Sequence, residues 1–229
     1  MDRFGLPSRR AKREEEEKQY GTRLPPGQHT VQNWPVLTYG PTPSIAVDAW
    51  RFHITGLVDQ EQTFNLSSFK DLGEATIHAD FHCVTRFSIM DNAWAGVPIT
   101  SLMSSIALQA NASAVMIHCY GGYTTNLLLE DFVRDENLFA FARNNTPLSE
   151  EHGGPGRLIV PHLYAWKSAK WVSGVEFIAS DRPGFWESRG YHMRGDPWLE
   201  ERYWPESVSY THLRAHETEA DLVCRLLLE

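Results

Sequence analysis

Cys83 stands in a stretch of the sequence whose residue types suit metal or nucleophilic chemistry. It ends a run that alternates in the manner of a strand, and His82 and Arg86 flank it. Nearby cations lower the pKa of a thiol and favour the thiolate, which is both a nucleophile and a soft metal ligand. The competing interpretation is a buried cysteine that acts only as a small hydrophobic residue. The local sequence leaves both open.

The same stretch offers a second kind of metal site. His78, Asp80 and His82 recur at every second position, so on a strand they share one face, and zinc binds side chains of these types. His82 and Cys83 point to opposite faces of such a strand, which disfavours a four-ligand site that uses both. A zinc-dependent hydrolase that uses His78, His82 or Cys83 is kept as an alternative.

A second stretch, residues 152–171, combines glycines with positive charge. It contains no acidic residue but three fixed cations, Arg157, Lys167 and Lys170, although the whole chain has a net charge of −8. Glycine-rich loops beside Lys, Arg and Ser are a common way to hold phosphate. The spacing matches neither a P-loop nor a dinucleotide fingerprint. The residues therefore indicate either an anion-binding loop or a solvated basic loop.

Length and composition limit the class of protein. The chain has 229 residues, of which 42% are hydrophobic, 12% aromatic and 22% charged. These values predict a globular domain and exclude wholesale disorder, collagen and coiled coil. No apolar run approaches the roughly 18 residues that predict a transmembrane helix. The net charge of −8 argues against a general nucleic-acid-binding protein.

The cysteines and the N-terminus bear on the cellular compartment. Cys83, Cys119 and Cys224 are the three cysteines, an odd and sparse set that does not predict a disulfide framework. Arg9 and Arg10 form a twin-arginine pair, but charged residues follow where an export signal needs an apolar segment. We therefore expect a cytoplasmic protein.

The chain divides into three parts. Residues 1–30 are charged and then rich in proline and glycine, which predicts a solvated arm with a helix. Residues 31–206 contain many short strand-like runs and a few short helical ones, which predicts an α+β domain. Residues 207–229 resemble a translated sequencing adapter rather than an evolved segment, although an amphipathic helix is the alternative. No site residue is assigned to this tail.

Several segments, taken together and in order, resemble sulfite oxidase-like, molybdopterin-dependent oxidoreductases, in the form of the small bacterial members that lack a haem domain. The resemblance covers roughly residues 30–204. The segments that carry it are His82–Ser88, Trp94–Ile99, Gly122–Asn126, His152–Pro161, Tyr164–Trp171, Arg182–Glu187 and Gly190–His192.

This resemblance implies a fold, a cofactor and a set of site residues. The fold is the α+β sulfite-oxidase fold, with residues 31–206 as the molybdopterin-binding domain around a single-pterin molybdenum cofactor. Cys83 stands where the family places its one protein ligand to molybdenum. The positions that match residues holding the pterin and its phosphate are His152, Arg157, Ser168 and Lys170, and more loosely Leu37, Thr38, Tyr39 and Cys119. Arg86 and Tyr191 are implied on the side of the active site that faces the substrate.

The resemblance also implies a reaction class. Oxygen-atom transfer to or from a small oxyanion or a sulfoxide-type substrate is expected, with electrons exchanged with a separate protein partner. The sequence lacks the Cys-x-x-Cys-His motif that attaches c-type haem. Besides the zinc hydrolase, a pterin-binding module without catalytic activity is the remaining alternative.

Overall fold

The computed structural model of the chain describes residues 9–204, which form two β-sheets with short helices packed against them. The helices are α1 (Arg9–Tyr20), α2 (Leu66–Lys70), α3 (Ile99–Met103) and α4 (Leu129–Phe132). Short 3-10 turns occur at Gly21–Arg23, Glu150–His152 and Glu187–Arg189. None of the helices in the described part of the chain is long and apolar enough to cross a membrane. The tail predicted at residues 207–229 lies outside the described residues.

Eleven strands make up the two sheets, and the predicted α+β class is confirmed. The strands are β1 (His29–Thr30), β2 (Arg51–Gly56), β3 (Gln62–Asn65), β4 (Ala75–His82), β5 (Phe87–Pro98), β6 (Ala114–Cys119), β7 (Thr124–Leu128), β8 (Leu138–Arg143), β9 (Thr146–Pro147), β10 (Arg157–Ile159) and β11 (Val172–Ile178). The first sheet has the order β1-β5-β8-β10, with β4 also paired to β5 and β9 to β8. The second has the order β3-β2-β11-β6-β7.

Two clusters of buried side chains form the core. The larger one packs against the second sheet and includes Trp50, Phe52 and Phe69, each at most 1% exposed. The smaller one lies on the first sheet and includes Phe81, Trp94 and Cys83 itself. Cys83 is therefore buried among apolar side chains where β4 ends.

The central strand of the first sheet, β5, is not predicted by the sequence pattern. Its 12 residues include Asp91, Asn92, Gly96 and Pro98, which are types that strands disfavour. A Cβ atom on Gly96 would lie 2.0 Å from the carbonyl oxygen of Phe139 in β8, so only glycine allows this close approach. Pairing with β1, β4 and β8 thus overrides the local preference.

Local sequence signals predict two short helices. A serine or asparagine cap predicts a helix over residues 66–72, and α2 does begin after Asn65, whose side chain accepts a hydrogen bond from the main-chain NH of Ser68. The acidic run from Leu127 to Val133 predicts a second helix, but α4 begins only at Leu129 because the preceding residues belong to β7.

The predicted N-terminal arm does contain a helix, but it packs onto the domain. The carboxylate of Glu16 in α1 is 6% exposed and accepts hydrogen bonds from the main-chain NH and the hydroxyl of Thr30. Arg23 forms ion pairs with Asp80 at 2.7 Å and Asp91 at 2.6 Å. These contacts hold the arm against β4 and β5.

Candidate functional site

Cys83 begins a tight turn between β4 and β5. Its main-chain NH donates a hydrogen bond to the carbonyl of Phe87 at 2.8 Å, and its carbonyl accepts one from the NH of Arg86 at 3.0 Å. Arg86 has a φ of +78°, in the left-handed region, which lets the chain reverse direction here. The hydroxyl of Thr85 donates a hydrogen bond to the sulfur of Cys83 at 3.1 Å. The turn therefore fixes both the position and the surroundings of the sulfur.

The end of the N-terminal arm holds this turn from outside. The side-chain amide of Gln28 donates to the carbonyl of Cys83 at 3.0 Å, and the NH of His29 donates to the carbonyl of Arg86 at 2.9 Å. Gln28 is only 5% exposed. The sequence analysis missed this residue because a single glutamine in a Pro/Gly-rich segment carries no signal of its own.

Arg157 is a deeply buried cation of the glycine-rich stretch, at 2% exposure. Its Nη atoms donate to the carbonyls of His152 at 2.9 Å and Ser168 at 2.6 Å. The guanidinium carbon lies 5.2 Å from the ring centres of both Trp34 and Phe81. Burial lowers the pKa of Arg157 to about 9.

Lys170 ties the glycine-rich stretch to the N-terminal segment. Its ammonium group donates to the carbonyls of Leu37 at 2.7 Å and Glu151 at 2.6 Å. Burial, and then the charge of Arg157, lower its pKa to about 7, whereas the charge of Glu151 opposes that shift. Its neighbour Arg157 packs on Phe81 in the strand that ends next to Cys83, so the cations lie beside that strand.

Gly153 and His152 complete the cationic cluster. Gly153 has a φ of +103°, and a Cβ atom there would lie 3.0 Å from Cβ of Lys170 and 3.1 Å from Cβ of Arg157. The absence of a side chain thus lets the two cations converge. The ring of His152 stacks on Trp34, with 4.0 Å between ring centres. Burial lowers the pKa of His152, and the two cations lower it further, which favours the neutral imidazole.

The cluster fits an anionic group. The hydrogen bonds from Arg157 and Lys170 end on main-chain carbonyls rather than on carboxylates, and Nε of Arg157 is buried with no hydrogen-bond partner among the described residues. Buried cations without a counter-charge are costly. A phosphate supplies both the charge and the acceptors, so these residues fit the phosphate end of a pterin cofactor. Cys83 supplies the soft sulfur donor that molybdenum prefers.

The three residues of the predicted N-terminal cofactor loop have different surroundings. The carbonyl of Leu37 contacts Lys170 directly. Thr38 and Tyr39 are exposed, and the ring of Tyr39 packs 4.8 Å from that of Phe185. The structure therefore brings Leu37 to the cations, whereas Tyr39 lies at the rim.

Cys119 and Ser168 both lie beside Arg157. Cys119 is buried at the end of β6, and burial raises the pKa of its thiol while the charge of Arg157 opposes that rise. The carbonyl of Ser168 accepts from Arg157, and its hydroxyl accepts from the main-chain NH of Val160 at 2.9 Å. The contacts of Ser168 thus orient the Arg157 side chain and hold the main chain just after β10, at Val160.

The two residues expected to face the substrate occupy different environments. Arg86 is exposed; burial raises the pKa of Tyr164, and the charges of Arg202 and, more weakly, Arg86 oppose that rise. Tyr191 is half-buried in an aromatic cluster, with its ring centre 5.1 Å from that of Trp166 and 5.0 Å from that of Trp186. Trp166 connects Tyr191 to the basic stretch.

Arg202 lies beside the Cys83 turn and packs on Tyr164, and the sequence analysis did not single it out. Arg202 donates to the carbonyl of Val84 in the Cys83 turn, and its guanidinium lies 4.9 Å from the ring centre of Tyr164. Among the described residues, neither its buried Nη2 atom nor the Tyr164 hydroxyl has a well-formed hydrogen bond. Nη2 lies 3.7 Å from the carboxylate of Glu200, and Gln28 adjoins the hydroxyl. Arg202 stands outside every motif, so no sequence signal pointed to it.

The zinc site kept as an alternative is not assembled. Asp80 is bound by Arg23, and the ring of His82 lies 2.8 Å from the hydroxyl of Ser88. Burial lowers the pKa of His82 to about 4. His78 is exposed, and residues 9–204 contain no group of three His, Cys, Asp or Glu side chains placed to hold a metal ion. The geometry gives this alternative no support.

The two-sheet α+β domain has one sulfur donor, and near it a buried Arg157 and a half-buried Lys170 whose hydrogen bonds end on main-chain carbonyls. This arrangement defines a class of protein suited to an anionic, metal-bearing cofactor. A family model described as the oxidoreductase molybdopterin binding domain matches residues 39–186. The chain belongs to this family and is a sulfite oxidase-like oxidoreductase, which confirms the resemblance.

Individual relatives agree with this assignment. The chain is 41% identical over 182 residues to the uncharacterized oxidoreductase YuiH of Bacillus subtilis, covering 79% of this chain and 92% of YuiH. It is 22% identical over 181 residues to MsrP, a protein-methionine-sulfoxide reductase catalytic subunit of Ralstonia nicotianae, covering 69% of this chain and 54% of MsrP. The crystal structure of the sulfane dehydrogenase SoxCD from Paracoccus pantotrophus matches with a TM-score of 0.56 and 19% identity, over 61% of this chain and 40% of that chain, and shows the fold.

Proposed function

We propose that this chain binds a single-pterin molybdenum cofactor, molybdenum-molybdopterin, and catalyses two-electron oxygen-atom transfer on a small oxyanion or a sulfoxide-type substrate. The observation that carries the proposal is the convergence of Arg157 and Lys170 around Gly153, with the Arg157 guanidinium 5.2 Å from the ring centre of Phe81 in the strand that ends next to Cys83. When bound, the molybdenum centre supplies the oxygen-atom and electron chemistry. The protein supplies position, charge and shielding from water.

The residues that would hold the cofactor have separable tasks. Cys83 is the protein ligand to molybdenum, and Arg157 and Lys170 bind the phosphate. Burial strengthens the attraction of these two cations for an anion, because little water competes with the anion for them. The neutral ring of His152, with its neighbour Trp34, offers a polar edge and a flat wall for the pterin.

Further contacts to the pterin side of the cofactor are proposed for the remaining predicted residues, which are Leu37, Thr38, Tyr39, Cys119 and Ser168. Leu37 and Ser168 act through main-chain carbonyls that orient Lys170 and Arg157. Cys119 acts as a buried neutral thiol, because its pKa is raised by burial.

The substrate side is proposed to use Arg86, Arg202 and Tyr191. A guanidinium group stabilises the charge of an oxyanion, and Arg202 has a buried donor available beside the Cys83 turn. Burial raises the pKa of Tyr164, so its hydroxyl is a protonated donor at neutral pH. The sulfoxide type of substrate is supported by the name of the relative MsrP.

Electron exchange is proposed to use a separate redox partner, and we also propose a cytoplasmic location. The partner is inferred from the sequence, in which we found no motif for c-type haem attachment. The location is inferred from the cysteine usage and from the charged residues after the twin-arginine pair.

Elemental and pterin analysis of the purified protein, followed by turnover assays, tests the proposal. We expect about one molybdenum and one pterin per chain, and turnover with sulfite, dimethyl sulfoxide or methionine sulfoxide in the presence of an artificial electron carrier. Stoichiometric zinc without pterin would support the zinc hydrolase instead. Bound pterin with no turnover on any of these probes would support the non-catalytic module.

A further inference from the structure

The sulfur of Cys83 receives a hydrogen bond from within its own turn. The hydroxyl of Thr85 lies 3.1 Å from Sγ of Cys83 and donates to it. Sulfur accepts hydrogen bonds at longer distances than oxygen does, so 3.1 Å is a close contact.

The backbone makes this contact a property of the fold. The hydrogen bond from the NH of Cys83 to the carbonyl of Phe87, at 2.8 Å, closes the turn around Thr85. The left-handed φ of Arg86, +78°, sets the direction in which the chain leaves Thr85. Gln28 holds the carbonyl of Cys83 at 3.0 Å from the other side. Both ends of the sulfur-to-hydroxyl contact are therefore anchored.

A hydrogen bond to a metal-bound thiolate changes how strongly the sulfur donates electrons to the metal. The donor draws electron density toward its proton, so the metal receives less and is reduced more readily. Partners of this kind, one step removed from the metal, commonly set reduction potentials and ligand orientation.

We propose that Thr85 is a positioning residue that raises the reduction potential of the molybdenum centre by donating a hydrogen bond to the sulfur of Cys83. This inference rests on the proposed function, in which Cys83 ligates molybdenum. It concerns Thr85 rather than Cys83, and it concerns the reduction potential, which is measured independently of turnover.

The test compares Thr85→Val with Thr85→Ser in molybdenum-loaded protein. Valine keeps the shape of threonine but cannot donate, whereas serine keeps the hydroxyl. An EPR-monitored redox titration measures the molybdenum midpoint potential, and molybdenum content is measured on the same samples. We expect the potential of Thr85→Val to shift to more negative values, and that of Thr85→Ser to stay at the wild-type value.

One control and one further variant separate a tuning role of Thr85 from a structural one. Thr63→Val removes a hydroxyl on β3 that contacts His53 rather than the sulfur, and should leave the potential unchanged. Should Thr85→Val not load with metal, Thr85→Ala also removes the donor, and the same negative shift is expected. A purely structural role would lower metal content or melting temperature without moving the potential of the loaded fraction.

The outcomes distinguish this inference from the proposed function. A loaded variant without the Thr85 hydroxyl that has the wild-type potential overturns the inference alone. Wild-type protein that binds no molybdenum overturns the proposed function, and the inference with it.

Discussion

The ammonium group of Lys170 donates a hydrogen bond to the main-chain carbonyl of Leu37 at 2.7 Å, across a separation of 133 residues. The same N-terminal segment stacks Trp34 on His152, with 4.0 Å between ring centres. Together these contacts lay the segment against the buried cations. Residues from both ends of the domain thus surround the proposed cofactor-binding cations, and the charge of Lys170 can be tested directly.

Stability of the cofactor-free protein should depend on pH through Lys170. Its pKa is about 7 in the folded state, below the ordinary value of 10.5 expected in the unfolded chain. Between these values the unfolded chain binds more protons, so stability rises with pH across that window, and below pH 7 the cost of the buried charge is fully present. Lys170→Met should reduce this dependence, of which Arg157 keeps a part because its pKa is also lowered, and should stabilise the protein by roughly 1–3 kcal/mol near pH 6.

Urea unfolding of the cofactor-free protein at pH 6 and pH 10 measures this effect. Lys18→Met, which changes an exposed lysine in α1, is the matched control and should keep the wild-type pH dependence. Equal pH dependence in wild type and Lys170→Met would contradict the burial argument.

Replacement of the sulfur should separate metal binding from pterin binding. Cys83→Ser removes the soft ligand but leaves the cations that hold the phosphate, so we expect turnover and most molybdenum to be lost while much of the pterin stays bound. Pterin fluorescence after denaturation and elemental analysis report the two quantities. Unchanged turnover in Cys83→Ser would refute the assigned role of this sulfur.

A buried ion pair beneath the aromatic cluster should prove strongly coupled. Lys167 and Glu187 are both 0% exposed in their side chains and lie 2.6 Å apart, and Glu187 also accepts from the indole NH of Trp166. Lys167→Met leaves the carboxylate without its counter-charge, and should lower the free energy of unfolding by about 3–5 kcal/mol.

The double variant Lys167→Met with Glu187→Met is the informative comparison for that pair. It removes both charges, so it should be more stable than the sum of the two single changes predicts. Additive losses in chemical denaturation would show that the pair is not coupled.

Arg202 should decide between the two proposed substrate types. Arg202→Lys keeps the charge but loses the planar fork that contacts Val84 and presents a second donor. We expect KM for an anionic substrate such as sulfite to rise roughly tenfold, corresponding to about 1.4 kcal/mol, with a smaller change for a neutral sulfoxide. Steady-state kinetics with both substrates provides the measurement.

Arg134→Lys is the control for Arg202, since Arg134 pairs with Glu136 at 2.7 Å on the surface. Its kinetic constants should match those of the wild type. If Arg202→Lys affects the anionic and the neutral substrate equally, Arg202 serves the turn rather than the substrate.

Much of the fold was open to prediction where the local pattern was strong. The strand that ends next to Cys83, the alternating burial of β2 and the Asn65 cap of α2 all depend on neighbours within a few residues, and all three are observed. β5 was missed because Asp91, Asn92, Gly96 and Pro98 are types that strands disfavour, so the strand forms through its pairing with neighbouring strands.

The sequence by itself determined which residue types the site contains: one thiol near basic residues, cations next to glycines, and motifs whose order identified the family. Tertiary structure alone decided which groups meet. Gln28 reaches Cys83, Leu37 receives Lys170, and Arg202 reaches Val84 through contacts between residues at least 55 positions apart. Main-chain carbonyls accept these bonds, and every residue has one, so side-chain types cannot reveal them until the sheets have assembled.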